Sequence, residues 1–174
     1  MSGPYSSSSA VARVGPAKDA LIIRSAIPSD AARLSELSTE LGYPTSSTEM
    51  TLRLNRLLGR DSETVIVAQP AAGPIVGWLH GSEQLLLESG RRCEILGLVV
   101  DQEHRGRGIG RRLVEAVERW AFERGLEQMA VRSNVLRPES HPFYERLGYG
   151  RSKTQHAYRK RLTAAGEHHE LRQA

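Results

Sequence analysis

The chain has 174 residues, with 24 Lys and Arg against 20 Asp and Glu, a net charge of +4. That length suits one domain, and 39% hydrophobic with 25% charged residues excludes fibrous and mainly disordered classes. The single cysteine, Cys93, excludes an internal disulfide framework and a multi-cysteine zinc site. The longest apolar runs, such as Ile95 to Val100, fall far short of the ~20 residues of a membrane span.

The opening MSGPYSSSSAVARVGPAKDA has no signal-peptide core. Residues 1–19 read as a disordered leader, because Ser, Gly and Pro leave them little to bury. The expected location is a reducing, cytoplasmic compartment, with no membrane partner. Leu21 to Arg24 predicts a first strand. Pro28-Ser29-Asp30 opens a helix, capped by Ser29 or Asp30, with Ala31, Leu34, Leu37 and Leu41 at helical spacing and a stop at Gly42-Tyr43-Pro44. Ser46 and Glu49 have capping-box spacing. They start a second helix carrying Met50, Leu54, Leu57 and Leu58, which Gly59 ends.

Thr64 to Ala68 is a β-branched strand, and Ala71-Ala72-Gly73 turns it back into a hairpin with Ile75 to His80. Cys93 to Val100 is a fourth strand. After a loop, Leu113, Val114, Val117, Trp120 and Ala121 mark a long amphipathic helix closed by Gly125, with Glu115 and Arg119 as an i,i+4 pair. Met129 to Val131 is a fifth strand ending near Asn134. A short helix surrounds Phe143 to Leu147, and the last strands are expected between Tyr149 and Leu162. Residues 163–174 read as a polar tail, so 20–162 form the domain. Strand, two helices, three strands, helix, strand, helix and strands make an α/β domain with a mixed sheet.

All but three of the 24 basic residues are Arg, which suits phosphate recognition. Acidic residues intersperse them nearly everywhere, as on a solvated mixed-charge surface. The dense exception, Arg105, Arg107, Arg111 and Arg112, sits among Gly106, Gly108 and Gly110. There an apolar strand, Val99-Val100, feeds a basic glycine-rich loop that opens the amphipathic helix. A helix N-terminus presents free N–H groups and a partial positive charge, and glycines let an anion reach the backbone. The pattern points to a pyrophosphate cradle. A P-loop would need Gly-Lys-Ser/Thr, which does not follow. A dinucleotide fingerprint would need its third Gly at position 111, which is Arg, and an acidic residue closing the next strand, which instead ends Arg132-Ser133-Asn134.

Arg105-x-x-Gly108-x-Gly110 after an apolar strand resembles the acyl-CoA loop of the GNAT superfamily of N-acetyltransferases. Glu94 to Val100 resembles that family's splayed fourth strand, Ser133-Asn134 the end of its fifth, and His141 to Tyr149 its "FYE-LGY" helix and turn. The resemblance covers about residues 20 to 162. It implies an α/β (α+β) fold, with a mixed, mostly antiparallel sheet of about seven strands and about four helices.

What the resemblance implies about function is an acetyl-CoA-dependent N-acetyltransferase, with acetyl-CoA as cosubstrate and no metal. Backbone groups of Arg105, Gly106, Arg107, Gly108, Ile109, Gly110 and Arg111 would hold the pyrophosphate. Those of Leu98, Val99 and Val100 would pair with pantetheine by strand addition. Asn134 matches the family's amide contact to the cofactor. Tyr144 matches the general acid that protonates the leaving thiolate. Glu94, a lone carboxylate on an apolar strand, matches the general base and could equally partner Arg91 or Arg92. His80 and Glu83 are weaker base candidates, and Cys93 is core filler.

The acceptor pocket is expected around Leu41 to Ser47 and the hairpin near Trp78 and Glu83, with Tyr43 and Trp78 as candidate lining. The expected acceptor is a primary amine of a small molecule, attacked directly in a ternary complex. A protein N-terminus or lysine, and a non-catalytic acyl-CoA-binding module, are the alternatives. No helix-turn-helix or series of stacking aromatics supports nucleic acid as a partner. The acceptor and the oligomeric state, a homodimer included, stay open.

Overall fold

The computed structural model of the protein describes residues 20–133 and 140–162. It divides the chain into two compact units, Met1–Asn134 and Val135–Ala174. The leader, Asn134 and the tail from residue 163 lie outside the described residues.

In the first unit, β-branched and apolar runs form one five-stranded sheet in the order β1-β2-β3-β4-β5. The strands are β1 (Leu21–Ser25), β2 (Glu63–Pro70), β3 (Gly77–Leu86), β4 (Gly90–Val100) and β5 (Met129–Val131). The first four pair antiparallel. β5 joins β4 in parallel, after the crossover through α3 (Ile109–Glu123). The mixed, mostly antiparallel sheet thus agrees with the sequence, but it has five strands where about seven were expected.

The strands expected after Tyr149 do not form. Residues 151–162 carry no strand and are exposed throughout. Ala157, Tyr158 and Leu162 are their only apolar side chains, too few to bury a strand face. β3 and β4 are longer than expected. They run six residues past His80 and start three before Cys93, so they make one long hairpin. Its far end, with Leu85 and Leu87 exposed, lacks the apolar alternation that announces a strand.

Two layers of helix cover the sheet. α1 (Ala31–Glu40) and α2 (Ser47–Leu58) pack Ala31, Leu34, Leu37 and Leu54 against Val65, Val67 and Val99. On the opposite face α3 buries Leu113, Val114, Val117 and Ala121. A Cβ placed on Gly81 would lie 2.8 Å from Val117 Cγ2, so this glycine lets α3 approach β3 closely.

The ends of these helices follow their sequence. Ser46 Oγ accepts from Glu49 N–H at 3.1 Å and caps α2. At α1 Asp30 is the N-cap, one of the two expected residues, but its side chain makes no capping bond into the helix. Pro28–Asp30 forms a 3₁₀ turn, and the Asp30 carboxylate accepts from Ile27 N–H and from both terminal nitrogens of Arg24. Glu115 pairs with Arg111 (2.7 Å) rather than with Arg119. Among the described residues no helix is long and apolar enough to cross a membrane.

The second unit holds α4 (Ser140–Arg146), closed by Gly148 in the left-handed conformation, φ 91°. Tyr144 packs edge-to-face on Phe143 (5.0 Å between centroids) and Tyr149 (5.7 Å). Tyr149 N–H also donates to the Tyr144 carbonyl.

Candidate active site

β5 is only three residues long and meets β4 at Cys93, Glu94 and Ile95. Beyond Ile95, residues Leu96 to Val100 have no strand neighbour on that side among the described residues. The β3–β4 register also shifts here. His80 faces Gly97 and Gly81 faces Ile95, so Leu96 is the extra residue of a β-bulge. The result is an open edge along Leu98 to Val100, where alternate residues turn their backbone N–H and C=O groups outward.

That edge runs straight into the glycine-rich loop. A 3₁₀ turn (Gln102–His104) is anchored by Asp101, whose N–H donates to the Val76 carbonyl and whose carboxylate accepts from Glu103 N–H. Arg33 of α1 grips the same carboxylate at 2.5 Å and the Ile75 carbonyl at 2.9 Å. Burial pushes the Asp101 carboxyl up, but Glu103 N–H, His104 and Arg33 outweigh it and hold it below the ordinary range. Gly106 (φ 76°) and Gly108 (φ 75°) are left-handed, a conformation that L side chains adopt at a cost. A Cβ on either would meet nothing within 4 Å, so the space above the loop is open. Gly108 is the N-cap of α3.

The arginines of the loop divide by role. Arg105 Nε donates to the Val100 carbonyl, folding back onto the end of β4. Arg111 is tied to Glu115 and Arg112 to the Leu21 carbonyl. Arg107 is exposed and makes no ion pair with a described residue. Ile109 is buried, while Gly110 lies in the first turn of α3.

On the α1/α2 face of the sheet is a cavity of about 430 Å³. Leu41, Tyr43, Thr45 and Trp78 line it, where the acceptor pocket was expected. It reaches β4 at Leu96 and Gly97, where the open edge begins. Trp78 lies across Gly97: a Cβ there would be 2.9 Å from Trp78 Cη2 and Cζ3.

From His80 in the cavity wall a line of polar groups leads along the same sheet face. His80 Nε2 lies 2.9 Å from Glu63 Oε2, Ser82 Oγ donates to Glu63 Oε1 (3.0 Å), and Gln84 donates to Ser82 Oγ (2.7 Å). Glu94 is the cross-strand partner of Ser82. Its carboxylate is buried and held by two guanidiniums, Arg92 on Oε2 (2.9 Å) and Arg132 on Oε1 (3.0 Å). The structure therefore puts Glu94 and His80 on one sheet face, with His80 joined to Ser82 through Glu63 and Ser82 lying across the strand pair from Glu94. Glu83 is not with them. It faces α3, where burial opposes Arg91 and Arg124, and the net effect holds its carboxyl low, Arg91 being the largest cause.

Cys93 is fully buried beside Gly81, and burial pushes its thiol up to about 11. Tyr144, in the second unit, is partly buried, and burial pushes its phenol up to about 12, so it holds its proton at neutral pH. Asn134 falls outside the described residues.

Sequence reasoning passed over Glu63, Arg33 and Gly97. A glycine inside the run Ile95 to Val100 is the signal that marks a close approach. Glu63 and Arg33 gave no such signal, because their partners lie 17 and 68 residues away.

Comparison with known proteins places these features. Residues 31–149 match the Acetyltransferase (GNAT) family. No curated protein sequence matches the chain. An acetyltransferase from Trypanosoma brucei is 26% identical, with a TM-score of 0.69, over 81% of this chain and 100% of that one. A transcriptional regulator from Bacillus halodurans C-125 is 23% identical (TM-score 0.74; 81% and 100% covered). The aminoglycoside N-acetyltransferase AAC(6')-Iy, in complex with CoA, is 22% identical (TM-score 0.75; 86% and 100% covered). The last two likenesses are ones of fold.

Proposed function

Because the chain belongs to the acetyltransferase (GNAT) family and is an acyltransferase, we propose that it acetylates a primary amine of a small molecule from acetyl-CoA, by direct attack in a ternary complex. The observation that carries the reading is the open edge of β4 leading into the left-handed glycines at the N-terminus of α3. An unpaired strand edge takes an extended amide chain, and a helix N-terminus takes an anion. Pantetheine and pyrophosphate have those two chemistries in that order. The CoA complex of AAC(6')-Iy, a protein of the same fold, adds support.

When bound, acetyl-CoA supplies an activated acyl carbonyl. Backbone groups of Leu98, Val99 and Val100 hold the pantetheine arm, and those of Arg105 to Arg111 the pyrophosphate. Arg107 and the helix dipole add charge there. An N–H on the open edge serves the acyl oxygen, worth most where water is excluded.

Glu94 removes the amine proton, directly or through water, with Arg92 and Arg132 fixing its position. His80 is the second reading for the base, favoured by its place in the cavity wall. An ionised Glu63 accepts only, so it sets the His80 tautomer with Nε2 protonated and leaves the Nδ1 lone pair free to take a proton. Tyr144 donates the proton to the leaving sulfur, and Asn134 contacts the cofactor. Cys93, sealed under α3, takes no acyl group.

Release of CoA thiol from acetyl-CoA, measured against a panel of amines, tests the proposal. Amine-dependent thiol release is the expected result. Tight CoA binding with no turnover on any small amine or peptide would turn the reading to a binding module.

A further inference from the structure

The cavity beside β4 is lined mainly by apolar side chains. Leu34, Leu41, Met50, Leu54, Leu57 and Val65 make its wall, and among the described residues no carboxylate lines it. Arg53 and Thr45, which do line it, are both engaged by Glu49. Of its polar lining, Ser38 spends its hydroxyl on the Leu34 carbonyl, and His80, held by Glu63, is the group that can meet an amine as a base. We propose that the acceptor is a monoamine on an apolar, ring-bearing body, with its one nitrogen at the His80 end and its body among the leucines.

This rests on the transferase reading above and names the acceptor class for the same site. The amine arrives mostly as ammonium, and the Glu63–His80 pair answers one positive charge. A diamine or polyamine would bring a second ammonium into the leucine wall, where a charge without a counter-ion is expensive. An apolar body gains instead from every methylene and ring carbon removed from water. The volume, about 430 Å³, lies in the range of pockets that enclose small organic ligands. Trp78 gives the body a flat aromatic wall.

The test compares 2-phenylethylamine with putrescine and spermidine in two arms. In the first, kcat/KM for thiol release from acetyl-CoA by the wild-type chain is expected to favour 2-phenylethylamine at least about tenfold. Leu57→Glu puts a carboxylate in the wall, and the ratio should shift toward putrescine. In the second, Trp120→Phe leaves Trp78 as the only tryptophan, and its fluorescence should respond to 2-phenylethylamine and not to spermidine.

A preference for putrescine or spermidine in either arm overturns the acceptor class and leaves the transferase intact. So does a Trp78 signal blind to all three amines at millimolar concentration. Selective binding of 2-phenylethylamine with no thiol release from any amine upholds the class and removes the transferase reading.

Discussion

Gly97→Ala isolates one contact at the wall between cavity and strand. The added Cβ would sit 2.9 Å from both Cη2 and Cζ3 of Trp78, closer than real methyl carbons come. The indole is a rigid plate packed against the α1/α2 core, so it must tilt as a body. Overpacking of this kind costs about 1–3 kcal/mol. For a chain of this size that is a fall in Tm of a few degrees or more. Trp78 lines the cavity, so KM for the acceptor should rise while affinity for acetyl-CoA stays near wild type. Urea unfolding and steady-state kinetics read the two effects separately. Trp78→Phe removes the offending ring atoms. In that background Gly97→Ala should cost less than about 0.5 kcal/mol, the scatter expected of independent sites. If the full cost persists there, the steric account of Gly97 is wrong.

The remaining expectations concern the cofactor loop, the two proton carriers and one ion pair. Gly108→Val should destabilise the fold by ~1–2 kcal/mol, because φ is positive there. It should also abolish most of the rise in Tm that acetyl-CoA gives wild type; a folded variant with the full rise means the loop is misassigned. Glu94→Gln should lower turnover most at low pH, where the amine is hardest to deprotonate, with CoA affinity little changed; an unchanged pH–rate profile moves the base to His80 or water. Tyr144→Phe should lower kcat by ~10²–10⁴-fold with a much smaller change in KM for acetyl-CoA, and near-normal kcat removes it from the mechanism. At Asp30, burial pushes the carboxyl up, but Arg24 and Ile27 N–H prevail and hold it below its ordinary value. The pair's stabilisation is therefore complete above the ordinary Asp range, near pH 4, and is lost as pH falls through the lowered value. Asp30→Asn should cost about 1–3 kcal/mol at pH 7, and the stabilities of variant and wild type should converge in acid; a constant gap across pH would exclude the ion pair as its cause.

The parts of the molecule that sequence revealed are those made by near neighbours. Ser46 caps α2 because Glu49 is three residues on, and Gly106 and Gly108 announce their left-handed turn by being glycines. The cavity lining at Tyr43 and Trp78 was legible because loop and hairpin each declared themselves. Long-range partners were not. Glu63 reads as a solvated strand end until β2 and β3 pair and bring it to His80. Arg33 reads as a wet helical residue until β4 ends beside α1. Glu94 stood out as a carboxylate on an apolar strand, but Arg132 on one of its oxygens depends on β5 being parallel to β4. The last strands were expected between Tyr149 and Leu162, and too few apolar side chains follow Tyr149 to sustain them.

The extra residue at Leu96 changes the parity of β4. Before it, even-numbered positions share a side with α1 and α2: Glu94 lies opposite Ser82 and Arg92 opposite Gln84. After it, odd-numbered positions do, with Gly97 opposite His80 and Val99 opposite Trp78. Strict alternation from Cys93 would put Cys93, Ile95, Gly97 and Val99 on one side. The fold instead sends the first two to the α3 side and the last two to the side of α1 and α2. β4 is in effect two half-strands spliced out of phase. Pairing Leu96 regularly instead of bulging it would restore the alternation and turn one half inside out, exchanging Leu98 with Val99 or Glu94 with Cys93, whereas deleting it would leave both halves on their present sides. A polar segment and an apolar segment can thus lie on one face of the sheet, although no uninterrupted reading of their alternation would have put them there.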